Sequence, residues 1–113
     1  MLFRSYTRKI DKSEAKINWH QNAREIFNKI RAFNGNIVAN FNYNNEKIKI
    51  LCCGYTIKEK LNEENGKILD KTFAIKCQDG IILPKILQRE GKKPLTIHEF
   101  LNGFSLEIGK ILQ

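Results

Sequence analysis

The hydrophobic period of this chain changes once, near Ile37, and that change limits what the chain can fold into. Upstream, Ala23, Ile26, Phe27, Ile30 and Phe33 recur at offsets of three, four, seven and ten, the spacing of one helical face. At roughly 100° per residue these five side chains occupy an arc of about 120°. Downstream, Ile37, Ala39, Phe41 and Tyr43 alternate with Val38, Asn40 and Asn42, the period of a half-buried strand. The pattern predicts a helix from about Gln21 to Phe33. His20 stands at its cap position, and Asn34-Gly35-Asn36 ends it with glycine in the left-handed turn.

The period of two then persists. Asn44-Asn45 reads as a hairpin turn, because asparagine tolerates positive φ. Glu46 to Lys58 reads as a long strand, with Ile48, Ile50 and Cys52 on one face and Lys47, Lys49 and Leu51 on the other. Glu59 to Asn65 is a charged loop whose charges nearly cancel. Short strands are expected at Gly66–Leu69, Thr72–Cys77 and Ile81–Leu87, separated by turns at Asp70-Lys71 and Gln78-Asp79-Gly80. Pro84 donates no hydrogen bond, so it marks an edge or a bulge in the last of these. Thr96-Ile97-His98-Glu99 is a capping box opening a second helix, whose inward stripe is Ile97, Phe100, Leu101 and Phe104. About five short strands between two helices predict a mainly β fold, a closed or nearly closed barrel with flanking helices. The pattern alone leaves a sandwich or an open sheet available. At 113 residues the chain is one domain, residues 15–113, behind a basic linker at 1–14.

Charge narrows the function. The net charge is +8, and it is unevenly placed. Residues 1–33 hold eight Lys or Arg against three acids, residues 34–80 seven against six, and residues 81–113 five against three. Lysine, isoleucine and asparagine are all plentiful, as under nucleotide bias, but bias does not gather charge at one end. Arg24 and Arg31 share one flank of the helical arc, two turns and roughly 10 Å apart along the axis. A localised basic field attracts phosphates or anionic lipid. No helix here pairs exposed large apolar residues with the charge, so a membrane is not the expected partner. No apolar run approaches the roughly 20 residues that cross a bilayer, and Met1-Leu2-Phe3-Arg4 begins no signal peptide. A cytoplasmic monomer is the expectation.

Enzymatic chemistry has little to stand on. There is no glycine-rich phosphate loop, no pair of carboxylates in an apolar setting and no His-Cys or His-Ser pairing at a recognisable spacing. Cys52 and Cys53 are adjacent, so in a strand they point to opposite faces and cannot jointly grip one ion. With Cys77 they read as idle thiols, not as a disulfide or zinc site.

Several fragments, in order, resemble the C-terminal domain of methionyl-tRNA formyltransferase. Ile17-Asn18-Trp19 followed by Ile30-Arg31-Ala32-Phe33 is similar to the opening of that domain. Tyr6-Thr7-Arg8-Lys9-Ile10 is similar to the linker before it, and Gly66-Lys67-Ile68-Leu69 and Asp79-Gly80 to one of its strands and one of its turns. Gly91-Lys92-Lys93 and Phe100-Leu101-Asn102-Gly103 resemble its close. The family usually has prolines where Asn34-Gly35-Asn36 stands here.

The resemblance implies an oligonucleotide-binding-type Greek-key barrel that binds initiator tRNA without catalysing anything. It implies that formyl-tetrahydrofolate and the catalytic residues belong to a separate N-terminal domain, so no cofactor is expected in this one. RNA duplex offers backbone and 2′-hydroxyl contacts rather than a readable major groove. The candidate tRNA-binding residues are therefore Arg8, Lys9, Lys12, Lys16, Arg24, Arg31, Lys92 and Lys93. Stacking on bases is the lesser expectation, since Phe27, Phe33, Phe100 and Phe104 lie on inward helical faces and Trp19 staples the helix start. The alternative is a structural appendage barrel of a folate- or sugar-type formyltransferase with no RNA role.

Overall fold

The computed structural model describes residues 15–32, 38–58 and 61–112. Its framework is an antiparallel, curled, five-stranded sheet flanked by two helices, in agreement with the mainly β, barrel-type expectation. In chain order the elements are α1 (Ala23–Ala32), β1 (Asn40–Tyr43), β2 (Glu46–Ile57), β3 (Ile75–Lys76), β4 (Gly80–Arg89), β5 (Leu95–Thr96) and α2 (Ile97–Asn102). The strand order is β1-β2-β4-β3, with β5 also pairing β4.

The chain enters along the sheet. Ala15, Ile17 and Trp19 are buried while Lys16, Asn18 and His20 face out, and the Ile17 amide donates to the Asn40 carbonyl at 2.8 Å. Trp19 then meets Phe41 of β1 edge-on at 5.9 Å, just before α1 begins. The cap of α1 is Asn22, not His20. The Asn22 side chain accepts from the Glu25 amide at 2.8 Å, and the Glu25 carboxylate accepts in return from the Asn22 amide at 3.4 Å. Asp79, from the turn before β4, accepts from the Ala23 amide at 2.8 Å. Asparagine carries an oxygen at the reach a cap needs, which an imidazole lacks. His20 instead meets the Asn65 side chain through Nδ1 at 3.2 Å. Ala23, Ile26 and Ile30 are buried as the spacing predicted, Phe27 is half-buried, and Phe33 lies outside the described residues.

Asn44 and Asn45 take φ of 51° and 67°, the paired left-handed conformations of a tight hairpin turn. The longest ladder joins β2 to β4, from Ile48 opposite Arg89 to Ile57 opposite Gly80, with register shifts between Ile50 and Cys53. The shift changes which residues face inward. Ile48 and Ile50 are buried, Leu51 and Cys52 are exposed, and Cys53 is buried, so Cys53 takes the inward place that simple alternation gave to Cys52. Pro84 sits opposite Cys53, beside this irregularity. On its other side it falls between the stretch paired with β3 (Ile81, Ile82) and the stretch paired with β5 (Ile86, Leu87). Proline is therefore tolerated in a central strand, beside a bulge on one side and at a gap in the pairing on the other.

The two middle strands are shorter than expected. Gly66–Leu69 makes only isolated bridges, Lys67 to Ile111 and Ile68 to Ile75. The Thr72–Cys77 segment shrinks to β3 because Asp70 turns the chain, accepting from both the amide and hydroxyl of Thr72, and Phe73 follows at φ 68°. Gly66, at φ 90°, lies where a Cβ would come within 2.6 Å of the Leu112 carbonyl, so the end of the chain seals this side only over glycine. Beyond β4 the Thr96 and Glu99 capping box forms as read, and the short β5 precedes it.

The core is a file of aromatic rings backed by aliphatic side chains. Phe73 stands 5.9 Å from Phe41 and 6.1 Å from Phe100, which is 4.7 Å from Phe104. Ile48, Ile50, Ile68, Ile75, Ile82 and Leu87 close around them. At the rim, Arg89 clasps Glu46 through Nε–Oε2 at 2.6 Å and Nη2–Oε1 at 3.0 Å, and lies 5.3 Å over the Phe104 ring.

Asn22→Ala should lower stability by about 1 kcal/mol, roughly 4 °C in Tm, while His20→Ala should change it by less than about 0.5 kcal/mol. Thermal unfolding followed by circular dichroism measures both. The clasp also gives the fold an acid dependence. The hydrogen bond from Arg89 holds the Glu46 carboxyl below its ordinary value of 4.5. A carboxylate depressed by folding stabilises above its unfolded value, and that gain is lost as pH falls through the folded one. Wild type should therefore lose more stability than Glu46→Gln between neutral pH and roughly pH 3, by up to about 1 kcal/mol for a pair this exposed. Urea unfolding at the two pH values reads the difference.

Candidate nucleic-acid interface

The functional reading depends on where the cationic side chains lie. Arg8, Lys9 and Lys12 lie outside the described residues. Lys16, Arg24, Arg31, Lys92 and Lys93 are all exposed. Helix α1 carries two of these, Arg24 and Arg31. Its apolar stripe of Ala23, Ile26 and Ile30 faces the sheet, which leaves Arg24 and Arg31 on the outside. In its last turn Lys29 reaches across, and its Nζ donates to the Lys16 carbonyl at 2.9 Å. Lys29 lies about 140–160° around the helix from Arg24 and Arg31, so this tie to the entering segment is on the opposite flank.

Arg24 lines a cleft of about 430 Å³ with Asn22, Glu25, Asn28, Tyr55, Ile57 and Asp79. The carboxylates there are engaged as caps, Glu25 at Asn22 and Asp79 at Ala23. Arg31 lies 5.5 Å over the ring of Phe27, which in turn meets the ring of Tyr55 at 5.0 Å. Lys16 lines a separate cleft of about 380 Å³ with Asn42, Asn44, Asn45, Lys110 and Ile111. Lys110 sits 5.3 Å over Tyr43. Sequence reasoning passed over Lys110, which stands near the C-terminus, beyond any motif. Only the chain's return beside β1 brings it to Lys16.

Lys92 and Lys93 are placed differently. They sit on the loop between β4 and β5, past Arg89 and so at the Glu46 end of the β2–β4 ladder. Arg24 shares its cleft with Ile57, at the opposite end of that ladder. The loop itself is well tied, with the Lys92 amide donating to the Arg89 carbonyl at 3.0 Å and Gln88 Nε2 donating to the Lys92 carbonyl at 2.7 Å. No described hydrogen bond or shared cleft joins it to α1.

The thiols face apart. Cys52 is exposed, while burial pushes the Cys53 thiol up to about 12 and raises Cys77 as well. Such buried thiols stay protonated and are poor nucleophiles. Among the described residues no three His, Cys, Asp or Glu side chains gather as a metal site, and no helix is long and apolar enough to cross a membrane.

Comparison with known proteins places this arrangement. Residues 9–105 match the family described as formyl transferase, C-terminal domain. The methionyl-tRNA formyltransferase of Rickettsia bellii (strain RML369-C) is 41% identical over 104 residues, covering 92% of this chain and 34% of that protein. That of Clostridium beijerinckii is 37% identical over 111 residues, covering 96% and 36%. The chain thus spans about a third of the length of these relatives. Among solved structures, HypX from Aquifex aeolicus in complex with tetrahydrofolic acid superposes with a TM-score of 0.60 over 93% of this chain and 21% of that one, at 17% identity, a likeness of fold. On the family match, which runs from the linker through α2, the chain belongs to the formyl transferase C-terminal domain family.

Proposed function

We propose that this chain is the RNA-binding part of a methionyl-tRNA formyltransferase and that its exposed cations rest against the backbone of initiator tRNA. The observation that carries the reading is the pair Arg24 and Arg31, exposed on one flank of a helix whose apolar face is buried in the sheet, with Lys16 exposed beyond the other flank. Guanidinium and ammonium groups on a rigid helix meet phosphates at fixed spacing, release counterions and need no base-specific contact. Lys92 and Lys93 extend the footprint from another side, and Arg8, Lys9 and Lys12 extend it along the linker. Support comes from the relatives, which are named for methionyl-tRNA and share about two residues in five with this chain.

In this reading formyl transfer, with formyl-tetrahydrofolate as donor, belongs to the remaining two thirds of such a protein. The chain itself acts as a cytoplasmic monomer that holds the RNA. It orients the aminoacylated end toward the catalytic domain and carries no cofactor of its own.

Labelled initiator tRNA titrated at low and moderate salt tests this. The expected result is micromolar or weaker binding, with log K falling against log salt at a slope of about −3 to −4, as for roughly four neutralised phosphates. Arg24→Ala with Arg31→Ala should flatten that slope by about 2. Absent or salt-independent binding would overturn the proposal in favour of a structural appendage.

A further inference from the structure

The lysines on the outward face of β2 belong to a surface that α1 does not share. In the β1–β2 hairpin Asn42 stands opposite Lys47 and Asn40 opposite Lys49. Alternation turns all four away from the buried Phe41, Ile48 and Ile50. The entering segment bridges the free edge of β1 through Lys16 and Asn40, and Lys16 is exposed between the buried Ala15 and Ile17. The returning end of the chain brings Lys110 to the same place, so Lys16 and Lys110 line one cleft with Asn42, Asn44, Asn45 and Ile111. Among the described residues no carboxylate lines that cleft. The nearest acids stand at its margins. Glu46 is clasped by Arg89, Glu90 follows Arg89 past the end of the β2–β4 ladder, and Glu107 accepts from the Asn44 side chain at 3.5 Å. Lys16, Lys47, Lys49 and Lys110 against the two unclasped carboxylates leave the surface positive.

We infer that this cleft and the lysines beside it form a second surface for the ribose–phosphate backbone of RNA, at the opposite end of β2 from Arg24; the inference deepens the RNA-binding reading and rests on it. Three features select this occupant. First, two ammonium groups converge on one concavity without an internal counterion, and a phosphate supplies the missing charge. Second, the carboxamides of Asn42, Asn44 and Asn45 stand between the lysines. A carboxamide both donates and accepts, as the ribose 2′-hydroxyl does, whereas lysines alone would suit any polyanion. Third, the groups are held in advance. Lys110 lies 5.3 Å over the Tyr43 ring, whose hydroxyl accepts from the Glu107 amide at 2.8 Å and donates to the Ser105 carbonyl at 3.3 Å. Asn44 and Asn45 are fixed by the hairpin turn at φ of 51° and 67°. Less ordering is therefore left to be done when a ligand arrives. Ile111 is the one apolar side chain in the lining, too little to seat the surface in a bilayer.

The test titrates fluorescently labelled initiator tRNA at low and moderate salt and follows anisotropy. Lys16→Gln with Lys110→Gln should flatten the plot of log K against log salt by about 2, as for two lost phosphate contacts. Lys58, past the far end of β2, and Lys71, in the turn after Asp70, are exposed lysines outside this surface. Lys58→Gln with Lys71→Gln removes the same charge and should change the slope by less than about 0.5. Asn44→Gly with Asn45→Gly keeps the left-handed turn, removes two carboxamides, and should weaken binding about threefold at unchanged slope. Wild-type slope and affinity in the Lys16 and Lys110 pair overturn the inference and leave the RNA-binding reading standing on Arg24 and Arg31. Equal flattening by the Lys58 and Lys71 pair overturns it too, because the charge then acts without a place. Undiminished affinity in the glycine pair makes the cleft a site for any polyanion and overturns the assignment to RNA. A wild-type protein that binds no tRNA overturns both readings. Vesicles containing phosphatidylserine are the second probe. Vesicle binding that the Lys16 and Lys110 pair abolishes, with tRNA binding intact, assigns this surface to a membrane and overturns the inference.

Discussion

The pairing of β2 with β4 is the constraint on which the rest of the molecule depends. These are the two longest strands, and every other element is attached to one or both of them. β1 adds to the free side of β2, β3 and β5 share the far side of β4, and α1 packs across the two long strands. Antiparallel pairing satisfies the backbone groups along this ladder and also fixes which side chains turn inward. The irregularity between Ile50 and Cys53 shifts that assignment part-way along, so the inward place passes from Ile48 and Ile50 to Cys53.

Charge follows from the same scaffold. A helix that buries only three residues of ten fully has much of its surface left for other uses, and here that surface carries arginine. Two acids lie in the same cleft as Arg24. Glu25 and Asp79 are directed at backbone amides that open α1, where a carboxylate also complements the helix dipole. The same pair of residues thus stabilises the helix start and offsets the charge of Arg24.

Much of this was legible in the sequence, and the failures have physical causes. The stripe from Ala23 to Ile30, the Asn44-Asn45 turn and the Thr96–Glu99 capping box are local patterns, and each formed as read. The cap of α1 is equally local, an Asn-x-x-Glu pattern at Asn22, two residues past the His20 position, because the apolar period marks a helix face and not its first residue. The two short middle strands failed because alternation says nothing about pairing partners. Phe73 looks like a strand residue until the Asp70 turn forces it into positive φ. Of the candidate cations, Arg24 and Arg31 share one flank of α1, as their spacing of seven dictates, while Lys16 lies beyond the other flank. Lys92 and Lys93 stayed apart, and Lys110 joined Lys16 only through a return of the chain that no local pattern encodes.

Lys76 shows a different use of a cation. It is only 4% exposed, and its ammonium is held by neutral oxygens: the carbonyl of Cys77, the Asn65 side chain at 3.1 Å and the Gln78 carbonyl at 3.5 Å. That cage makes its nitrogen inaccessible to solvent-borne reagents while the fold is intact. An acylating label applied to the native protein will decorate the outward lysines and pass over this one, which reacts only once the chain opens. Lys76 is in effect a built-in reporter of whether a given preparation is folded.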